Sequence, residues 1–449
     1  MREETRRWWV LGGMGLSLFM VLFDETVVGV ALNTIQHDLG LSPVQGHWVV
    51  NAYLLALAAF VLVGGRLGDL IGYRRTLLIG ATTFGLGSLA CAFAADGMLL
   101  VAFRVVQGLG AAVLFPLSMA MLMVVFPVAE RGIALGWYGL IGTSGMLVGP
   151  LAGGALTEFL SWRGIFVLNV AAAAITSVIV LAAWREPPAR PGGRLDVTGL
   201  ALLVVALVAL VLPIMQGSEW GWTAPLTLGL LGLGAVAGWL FWRVERTATD
   251  PLVDVRLFAS PAFGTYAAGV FLGQLSKSAV IVFLPLYLHQ VLHYTPFQAG
   301  LALTPGMAVI LAVSIPFGHL IDRQGTARPL FLGLLGLAVA HTALALLVDA
   351  DHYLALVLVL MVWGAATALT FQSSLIGVAN SAPREIQGQA AGIANESQML
   401  GGVFGVAAMS ALQVAIGRWD VVFAFAALVA AGALLLGLLT LDRRRSRAT

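Results

Sequence analysis

Long apolar segments separated by short polar turns run through the whole sequence, and this alternation constrains the fold more than any single motif. A window of about 19 residues identifies segments long enough to cross a hydrocarbon core about 30 Å thick. Only 10% of the residues are charged and 59% are hydrophobic, which excludes an ordinary soluble domain. The fourteen segments lie near residues 8–32, 46–65, 76–95, 98–126, 132–157, 163–184, 197–215, 224–244, 261–289, 297–320, 329–348, 352–373, 386–414 and 420–441. We therefore predict an all-α membrane protein with fourteen transmembrane helices.

The arginines between these segments fall almost entirely in alternate loops, which sets the orientation of the helices. Cytoplasmic loops collect Arg and Lys, and one set of loops carries only Arg163 and Arg418. The other set carries Arg2, Arg6, Arg7, Arg66, Arg74, Arg75, Arg131, Arg185, Arg190, Arg194, Arg243, Arg246, Arg256, Arg323, Arg328, Arg384, Arg443, Arg444, Arg445 and Arg447. Both termini are therefore predicted to be cytoplasmic, which requires an even number of crossings. The basic tail is expected to anchor this topology, with contact to membrane lipid headgroups as the alternative.

Two polar breaks and an internal repeat predict the domain organisation. The sequence G-x-L-x-D-x-x-G occurs at residues 65–72 and again at residues 318–325, after the second and the tenth apolar segment. These positions are equivalent if segments one to six match segments nine to fourteen. We therefore predict two six-helix bundles with two inserted helices, in three parts: residues 1–184, a linker with two extra helices at residues 185–260, and residues 261–449.

Four motifs carry a resemblance to a known family. The charged turn at residues 65–75 resembles the hallmark loop of the major facilitator superfamily. Residues 24–32, residues 104–110 and residues 145–154, the last followed by residues 161–166, are similar to motifs of one branch of that family. That branch comprises the fourteen-helix drug/proton antiporters of the EmrB/QacA type, and the likeness covers nearly the whole chain.

The resemblance implies a proton-coupled antiporter that exports small lipophilic compounds or drugs, cationic ones among them, by alternating access. It implies a transporter and not an enzyme. No P-loop, haem motif or metal-ligand cluster is visible in the sequence, so the expected energy source is a proton gradient without a cofactor. Two alternatives remain open, namely a uniporter or symporter of one small solute and a non-transporting membrane sensor.

The expected partners are a small-molecule substrate, protons and membrane lipid, with no nucleic acid. The sequence leaves open whether an accessory export protein extends the path. The expected location is the cytoplasmic membrane of a bacterium, because arginine outnumbers lysine 23 to 1, which is typical of genomes rich in G and C.

The repeated charged turn is predicted to act as a conformational latch. A carboxylate in a short turn can pair with cations or with a helix N-terminus and so hold two helices in one arrangement. The alternative is an ordinary basic turn at the cytoplasmic surface. The predicted latch residues are Gly65, Asp69, Gly72, Arg74, Arg75, Asp322 and Arg323.

The fifth segment carries a stripe of small residues. Gly145, Gly149 and Gly153 recur every four residues, which lets a neighbouring helix backbone approach closely. Pro150 removes one helix hydrogen bond and permits a bend, and Gly154 extends the stripe. This stripe is either a hinge of the antiporter or a purely structural packing surface.

Charged residues inside apolar segments are the strongest functional signal, because each costs roughly 2.5–3.5 kcal/mol at the centre of a membrane. Asp24 and Arg104 are predicted to couple protons to transport, and the alternative is a static salt bridge between their helices. Glu396 is a second candidate for proton coupling, or a carboxyl that its own surroundings satisfy. Lys277, the only lysine, is predicted to face the central cavity, either as the counter-ion of Glu396 or as a contact for an anion.

A further group of residues is predicted to line the substrate cavity. Aromatic and Met side chains in apolar segments can bind lipophilic compounds, although most such residues pack in cores or face lipid. The candidates are Glu25, Tyr53, Gln107, Met119, Tyr138 and Phe271.

Overall fold

The structure, a computed structural model, describes residues 3–127, 130–187, 196–248, 251–348, 353–382 and 387–445, and these residues contain no β-strand. Fourteen helices in this part of the chain are long and apolar enough to cross a membrane. Each one coincides with a segment predicted from hydropathy. The all-α fold with fourteen transmembrane helices is therefore confirmed.

The helices extend beyond several of the predicted boundaries, because hydropathy marks only the apolar part of each helix. The first begins near the N-terminus and continues to Asp38, past the predicted end at residue 32. The α-helices in chain order are α1 Glu3–Asp38, α2 Pro43–Ile71, α3 Tyr73–Ala92, α4 Gly97–Val125, α5 Arg131–Phe159, α6 Arg163–Ala183, α7 Val197–Trp220, α8 Pro225–Thr247, α9 Pro261–Ser278, α10 Leu284–Gln290, α11 Pro296–Gln324, α12 Ala327–Leu347, α13 Tyr353–Asn380, α14 Gln387–Ile416 and α15 Trp419–Arg445.

Two short elements of other geometry interrupt this series. A 3₁₀ turn, Val255–Ala259, precedes α9. A π-helical turn, Ala279–Phe283, joins α9 to α10, so that these three elements form one span, Pro261–Gln290. A single π turn inside an α-helix occurs often at functional sites.

The helix ends follow from local sequence signals. Ser42 accepts a hydrogen bond from the backbone of Gln45 while the Gln45 side chain accepts one from the backbone of Ser42, which closes a capping box at the start of α2. Asp96 caps α4 by accepting a hydrogen bond from the backbone N–H of Leu99 at 2.9 Å. Gly72, with φ of +93°, makes the sharp turn between α2 and α3.

Contacts divide the chain into two compact units. The first contains residues 1–201 and 293–300, and the second contains residues 202–292 and 301–449. The first unit ends inside α7, whereas the three-part division at residues 184 and 260 remains a prediction from the sequence.

The same helix pairs recur in both units. In the first unit, α1 packs on α4, α5 and α6, while α3 packs on α4 and α6. In the second unit, α9 packs on α13, α14 and α15, while α12 packs on α13 and α15. These pairings correspond one to one if α1 is matched with α9, as the repeated charged turn predicts.

Candidate functional site

Asp24 lies at the centre of a buried polar network in the first unit. Its side chain is fully buried in α1. One carboxylate oxygen, Oδ2, accepts a hydrogen bond from Nη1 of Arg104 in α4 at 2.5 Å. The other oxygen, Oδ1, accepts hydrogen bonds from Nε2 of Gln107 at 2.9 Å and from Nδ2 of Asn169 in α6 at 2.8 Å. Three donors from two neighbouring helices therefore stabilise the ionised carboxylate.

Arg104 is also fully buried and is held on several sides. Its Nε donates to the carbonyl of Val49 in α2 at 2.8 Å, and its Nη1 donates to Oε1 of Gln107 at 2.6 Å. The guanidinium carbon lies 4.2 Å from the ring centroid of Tyr53 and 6.0 Å from that of Phe166. An aromatic face attracts a cation, so these contacts replace part of the water that Arg104 loses on burial.

The motif at residues 104–110 has a clear structural basis. Arg104 and Gln107 are three residues apart and share one face of α4, which directs both side chains towards Asp24. A side chain at Gly108 would collide with the backbone of Tyr53, and one at Gly110 would collide with the backbone of Phe84. The glycines thus let α4 approach α2 and α3 closely enough to close the network.

Two members of the network were not predicted. Asn169 donates directly to Asp24, and Ser88 in α3 accepts a hydrogen bond from Nε2 of Gln107 at 2.9 Å. Asn169 could have been found as a polar amide in an apolar segment, since such residues usually have an interhelical partner. Ser88 gave no such signal, because serine occurs commonly within transmembrane helices.

The candidates for the substrate cavity lie in different environments. Tyr53 and Gln107 are fully buried in the Asp24 network, and Glu25 is 9% exposed. Tyr138 is largely buried, and its hydroxyl lies 2.8 Å from Oγ of Ser118. Two candidates have more open surface: Met119, which is 40% exposed, and Phe271, which is partly exposed and lies 6.1 Å from Phe404 between ring centroids.

The glycine stripe of α5 lies directly against α1. A side chain at Gly145 would meet the carbonyl of Phe19, one at Gly149 would collide with Thr26, and one at Gly153 would meet Val27. The close approach expected of these glycines is therefore present, and it flanks Asp24 along α1.

Two further residues of the α5 motif face another segment of the same unit. A side chain at Gly154 would collide with the backbone of Pro296 and Phe297, and the carbonyl of Pro150 lies close to Gly300. The motif therefore packs tightly on two surfaces, which accounts for its high content of small residues.

At the predicted latch, the carboxylate at the N-terminus of α3 comes from Glu186. Its oxygens accept hydrogen bonds from the backbone N–H groups of Tyr73 at 2.6 Å and Arg74 at 2.9 Å. Nε1 of Trp184 also donates to Glu186, at 2.8 Å. The segment after α6 thus stabilises the turn between α2 and α3 through a carboxylate that the sequence analysis did not single out.

The other latch residues lie at the ends of helices. Arg74 donates from Nη2 to the carbonyl of Leu181 at 3.4 Å, whereas Arg75 is exposed and Gly65 is partly buried. The side chain of Asp69 lies outside the part of the chain that the structure describes. In the second unit, Asp322 and Arg323 are exposed at the end of α11.

Glu396 in α14 is the other buried carboxyl of interest. It is 5% exposed, and neither carboxylate oxygen has a hydrogen-bond partner among the described residues. Lys277 in α9 is also 5% exposed, and no hydrogen bond joins it to Glu396. Its role as the counter-ion of Glu396 or as a contact for an anion stays a prediction. Lys277 lies two residues before the π turn and directly after Ser276, whose hydroxyl lies 3.3 Å from Nδ1 of His341.

The described residues contain no group of three or more His, Cys, Asp or Glu side chains that could hold a metal ion.

Comparison with known proteins assigns the family. The family model of the Major Facilitator Superfamily matches residues 14–243 and 266–449. The multidrug resistance protein Stp of Mycobacterium tuberculosis is 33% identical over 404 residues, which cover 89% of this chain and 75% of the relative. The puromycin resistance protein pur8 of Streptomyces alboniger is 34% identical over 414 residues, which cover 91% of this chain and 82% of the relative.

Solved structures support the same fold. The POT family transporter PepTSo superimposes with a TM-score of 0.72 at 15% identity, over 98% of each chain. The xylose transporter XylE from E. coli superimposes with a TM-score of 0.66 at 14% identity, over 96% of this chain and 97% of that one. The chain thus belongs to the major facilitator superfamily, a family of transporters and not of enzymes, and it is a multi-pass membrane protein.

Proposed function

We propose that this protein is a proton-coupled antiporter that exports small lipophilic compounds, cationic drugs among them, across the cytoplasmic membrane of a bacterium. The names of similar proteins support export of drugs: they include a multidrug resistance protein, a puromycin resistance protein and a tetracenomycin C resistance and export protein. The observation that carries the proton coupling is the buried pair of Asp24 and Arg104. Energy comes from the proton gradient, without a bound cofactor.

The coupling follows from the hydrogen bonds of Asp24. In the ionised state the carboxylate accepts bonds from Arg104, Gln107 and Asn169 and so ties α1 to α4 and α6. A proton on Asp24 removes the charge that compensates the buried guanidinium of Arg104. The pair then loses most of its attraction, because charge-assisted hydrogen bonds are about twice as strong as neutral ones. Proton uptake therefore loosens three helices at once.

Release of the proton restores the network. Arg104 remains charged throughout, since a guanidinium is not deprotonated in proteins. It therefore stabilises the ionised form of Asp24 again as soon as the proton leaves. Alternating access results if the tied and the loosened states of α1, α4 and α6 favour opposite openings of the transporter.

Glu396 is a second site for a proton or for the positive charge of a substrate. A carboxylate in an apolar environment without a donor carries a large desolvation penalty. A proton or a cationic substrate removes this penalty, so the two compete for the same group. Competition of this kind is the basis of antiport.

The test is transport by the purified protein in liposomes that contain a pH-sensitive dye. With an imposed proton gradient, addition of ethidium is expected to produce proton movement in the wild type. Asp24→Asn is expected to abolish this coupled movement while it retains counterflow, the exchange of labelled for unlabelled substrate without a gradient. Asp38→Asn is the matched control, because Asp38 also lies in α1 but forms an exposed ion pair with Arg163 at 2.8 Å.

Each outcome has a distinct meaning. Normal coupled transport by Asp24→Asn would refute the role of Asp24. Loss of both coupled transport and counterflow, together with normal counterflow in the control, would indicate the static salt bridge instead. Substrate uptake driven in the same direction as the protons would indicate a symporter, and ligand binding without flux would indicate a sensor.

A further inference from the structure

The end of α8 that the arginine distribution places on the cytoplasmic side forms a basic cavity. The cavity has a volume of about 530 Å³ and is lined by Arg243, Val244, Arg246 and Thr247. Both arginines are exposed, and no described carboxylate forms an ion pair with either of them. Among the described residues, the cavity therefore presents two positive charges without an ion-pair partner.

The chain folds back to bring a third guanidinium to the same place. Nη2 of Arg256 donates a hydrogen bond to the carbonyl of Arg246 at 3.0 Å. Glu245 stabilises this reversal of the chain. It is fully buried and accepts a hydrogen bond from the backbone N–H of Val253 at 2.9 Å. Asp254 accepts one from the backbone N–H of Arg256 at 3.1 Å. The nearby described carboxylates thus bind backbone groups and organise the cavity.

Aromatic side chains beside the arginines are typical of the interface between membrane and water. Trp239 lies one turn before Arg243 in α8. The guanidinium carbon of Arg243 is 4.7 Å from the ring centroid of Trp239. Trp242 packs against Phe258 with 6.0 Å between ring centroids. Both tryptophans are exposed, at 55% and 41% respectively. Tryptophan is enriched at the interface between membrane and water, and Arg beside it directs its charge towards the headgroups.

The rest of α8 offers an apolar surface that leads into this cavity. Only 17% of its most apolar stretch is buried within the structure, the lowest share among the fourteen spans. Leu233, Val236 and Leu240 are exposed on the helix just before the arginines. A molecule bound by the arginines can therefore extend apolar chains along α8 into the membrane.

We propose that this cavity binds the phosphate of an anionic phospholipid from the cytoplasmic leaflet. Guanidinium groups bind phosphate through paired hydrogen bonds, and basic pockets at the cytoplasmic ends of transmembrane helices bind anionic headgroups. The exposed apolar face of α8 favours a lipid over a soluble phosphate. Lipid binding at the end of α8 does not depend on the proposed transport reaction.

The experiment measures lipid binding to the delipidated full-length protein by native mass spectrometry. The probes are phosphatidylglycerol, phosphatidylcholine and glycerol phosphate, the last as a soluble phosphate without acyl chains. Phosphatidylglycerol is expected to bind most tightly. The double variant Arg243→Gln/Arg246→Gln is expected to bind it about 30-fold more weakly, since each arginine near a headgroup contributes about fivefold.

Arg328→Gln is the matched control, because Arg328 is an exposed arginine on the predicted cytoplasmic side at the start of α12. This variant is expected to bind phosphatidylglycerol as the wild type does. Equal binding of phosphatidylglycerol and phosphatidylcholine would overturn the proposal, as would an undiminished affinity of the double variant. Displacement of the lipid by equimolar glycerol phosphate would assign the site to a soluble anion and would also overturn it.

Discussion

Asp24 and Glu396 are both buried carboxyls in membrane-spanning helices, one in each compact unit, yet their surroundings are opposite. Asp24 accepts three hydrogen bonds, one of them from a guanidinium at 2.5 Å. Glu396 accepts none from the described residues. The two positions are thus distinguished by the donors around them and not by burial, since both are at most 5% exposed.

The different surroundings predict different properties for the two carboxyls. A buried charge that is paired and hydrogen-bonded is stable where it is, and removing one partner leaves the other uncompensated. A buried carboxyl without donors is stable only when a proton or a cation joins it. In the proposed mechanism, Asp24 therefore ties three helices together while it is ionised and releases them when it is protonated, whereas Glu396 binds a proton or a cation without holding helices together. The following variants test this contrast through protein stability.

The largest effect is expected for Arg104→Gln, which leaves Asp24 buried without its cation. We expect the free energy of unfolding to fall by about 3–5 kcal/mol, the usual result when one member of a buried pair is removed. Chemical denaturation in detergent micelles measures this change. The double variant Asp24→Asn/Arg104→Gln should lose less than Arg104→Gln alone. If the losses of stability from the two single substitutions simply added up in the double variant, Asp24 and Arg104 would not be an energetically coupled pair. Asp24 would then not differ from Glu396 in this respect.

A smaller effect is expected for Asn169→Ala, which removes one donor from the Asp24 carboxylate. Hydrogen bonds to charged groups contribute about 1.5–3 kcal/mol, and we expect a loss of unfolding free energy in that range. Ser177→Ala is the control, because the hydroxyl of Ser177, also in α6, bonds only to the backbone of Ala173 in its own helix at 2.8 Å. An equal effect of both substitutions would show that Asn169 contributes nothing specific to Asp24.

Gly149→Ala tests whether the close packing of α5 on α1 supports the Asp24 network. The new methyl group would collide with Thr26, and overpacking typically costs about 1–3 kcal/mol. The same substitution at Gly139 is the control, because no atom lies within 4 Å of a side chain added there. Thermal unfolding of both variants gives the comparison. Ala is a better helix former than Gly, so Gly139→Ala is expected to be neutral or slightly stabilising. If it were as destabilising as Gly149→Ala, contact with α1 would not explain the cost.

The smallest effect on stability is expected for Glu396→Gln. Gln has the shape and the neutrality of the protonated carboxyl, which is the form that is stable without hydrogen-bond donors, and neither oxygen of Glu396 has a partner among the described residues. We therefore expect the free energy of unfolding to change by less than about 0.5 kcal/mol. Binding of cationic substrates should nevertheless fall relative to binding of neutral ones, measured by fluorescence titration. A destabilisation close to that of Arg104→Gln would remove the contrast between the two carboxyls.

Much of this arrangement could be predicted from the sequence, because the relevant signals are local. Hydropathy identified all fourteen spans, since a run of apolar residues needs no knowledge of its neighbours. Asp24 and Arg104 stood out because a charge within such a run is costly. The two side chains are in contact at 2.5 Å, which is compatible with both sequence interpretations, proton coupling and a static salt bridge.

The remaining features depend on how helices rotate and pack, which the sequence does not display. Opposite charges alone do not determine whether Lys277 and Glu396 meet, because that depends on which sides of α9 and α14 carry them; no hydrogen bond joins them in this structure. The carboxylate at the start of α3 comes from Glu186, which is more than 100 positions away in the chain from Tyr73 and Arg74. Such contacts between distant segments leave no periodic pattern, and composition alone does not reveal them.

The π turn after Lys277 changes the direction in which the later side chains of the span Pro261–Gln290 point. One extra residue in a turn advances every later side chain by about 100° around the axis. With this rotation, the hydroxyl of Tyr287 donates a hydrogen bond to the carbonyl of Val348, and its ring packs on Trp419 and Phe423. Deletion of one residue between 279 and 283 would restore a continuous α-helix and turn Tyr287 away from all three. The π turn thus rotates the side chains of α10 about the helix axis relative to those of α9. Lys277 and Tyr287, which lie in the same membrane span, therefore contact different sets of residues.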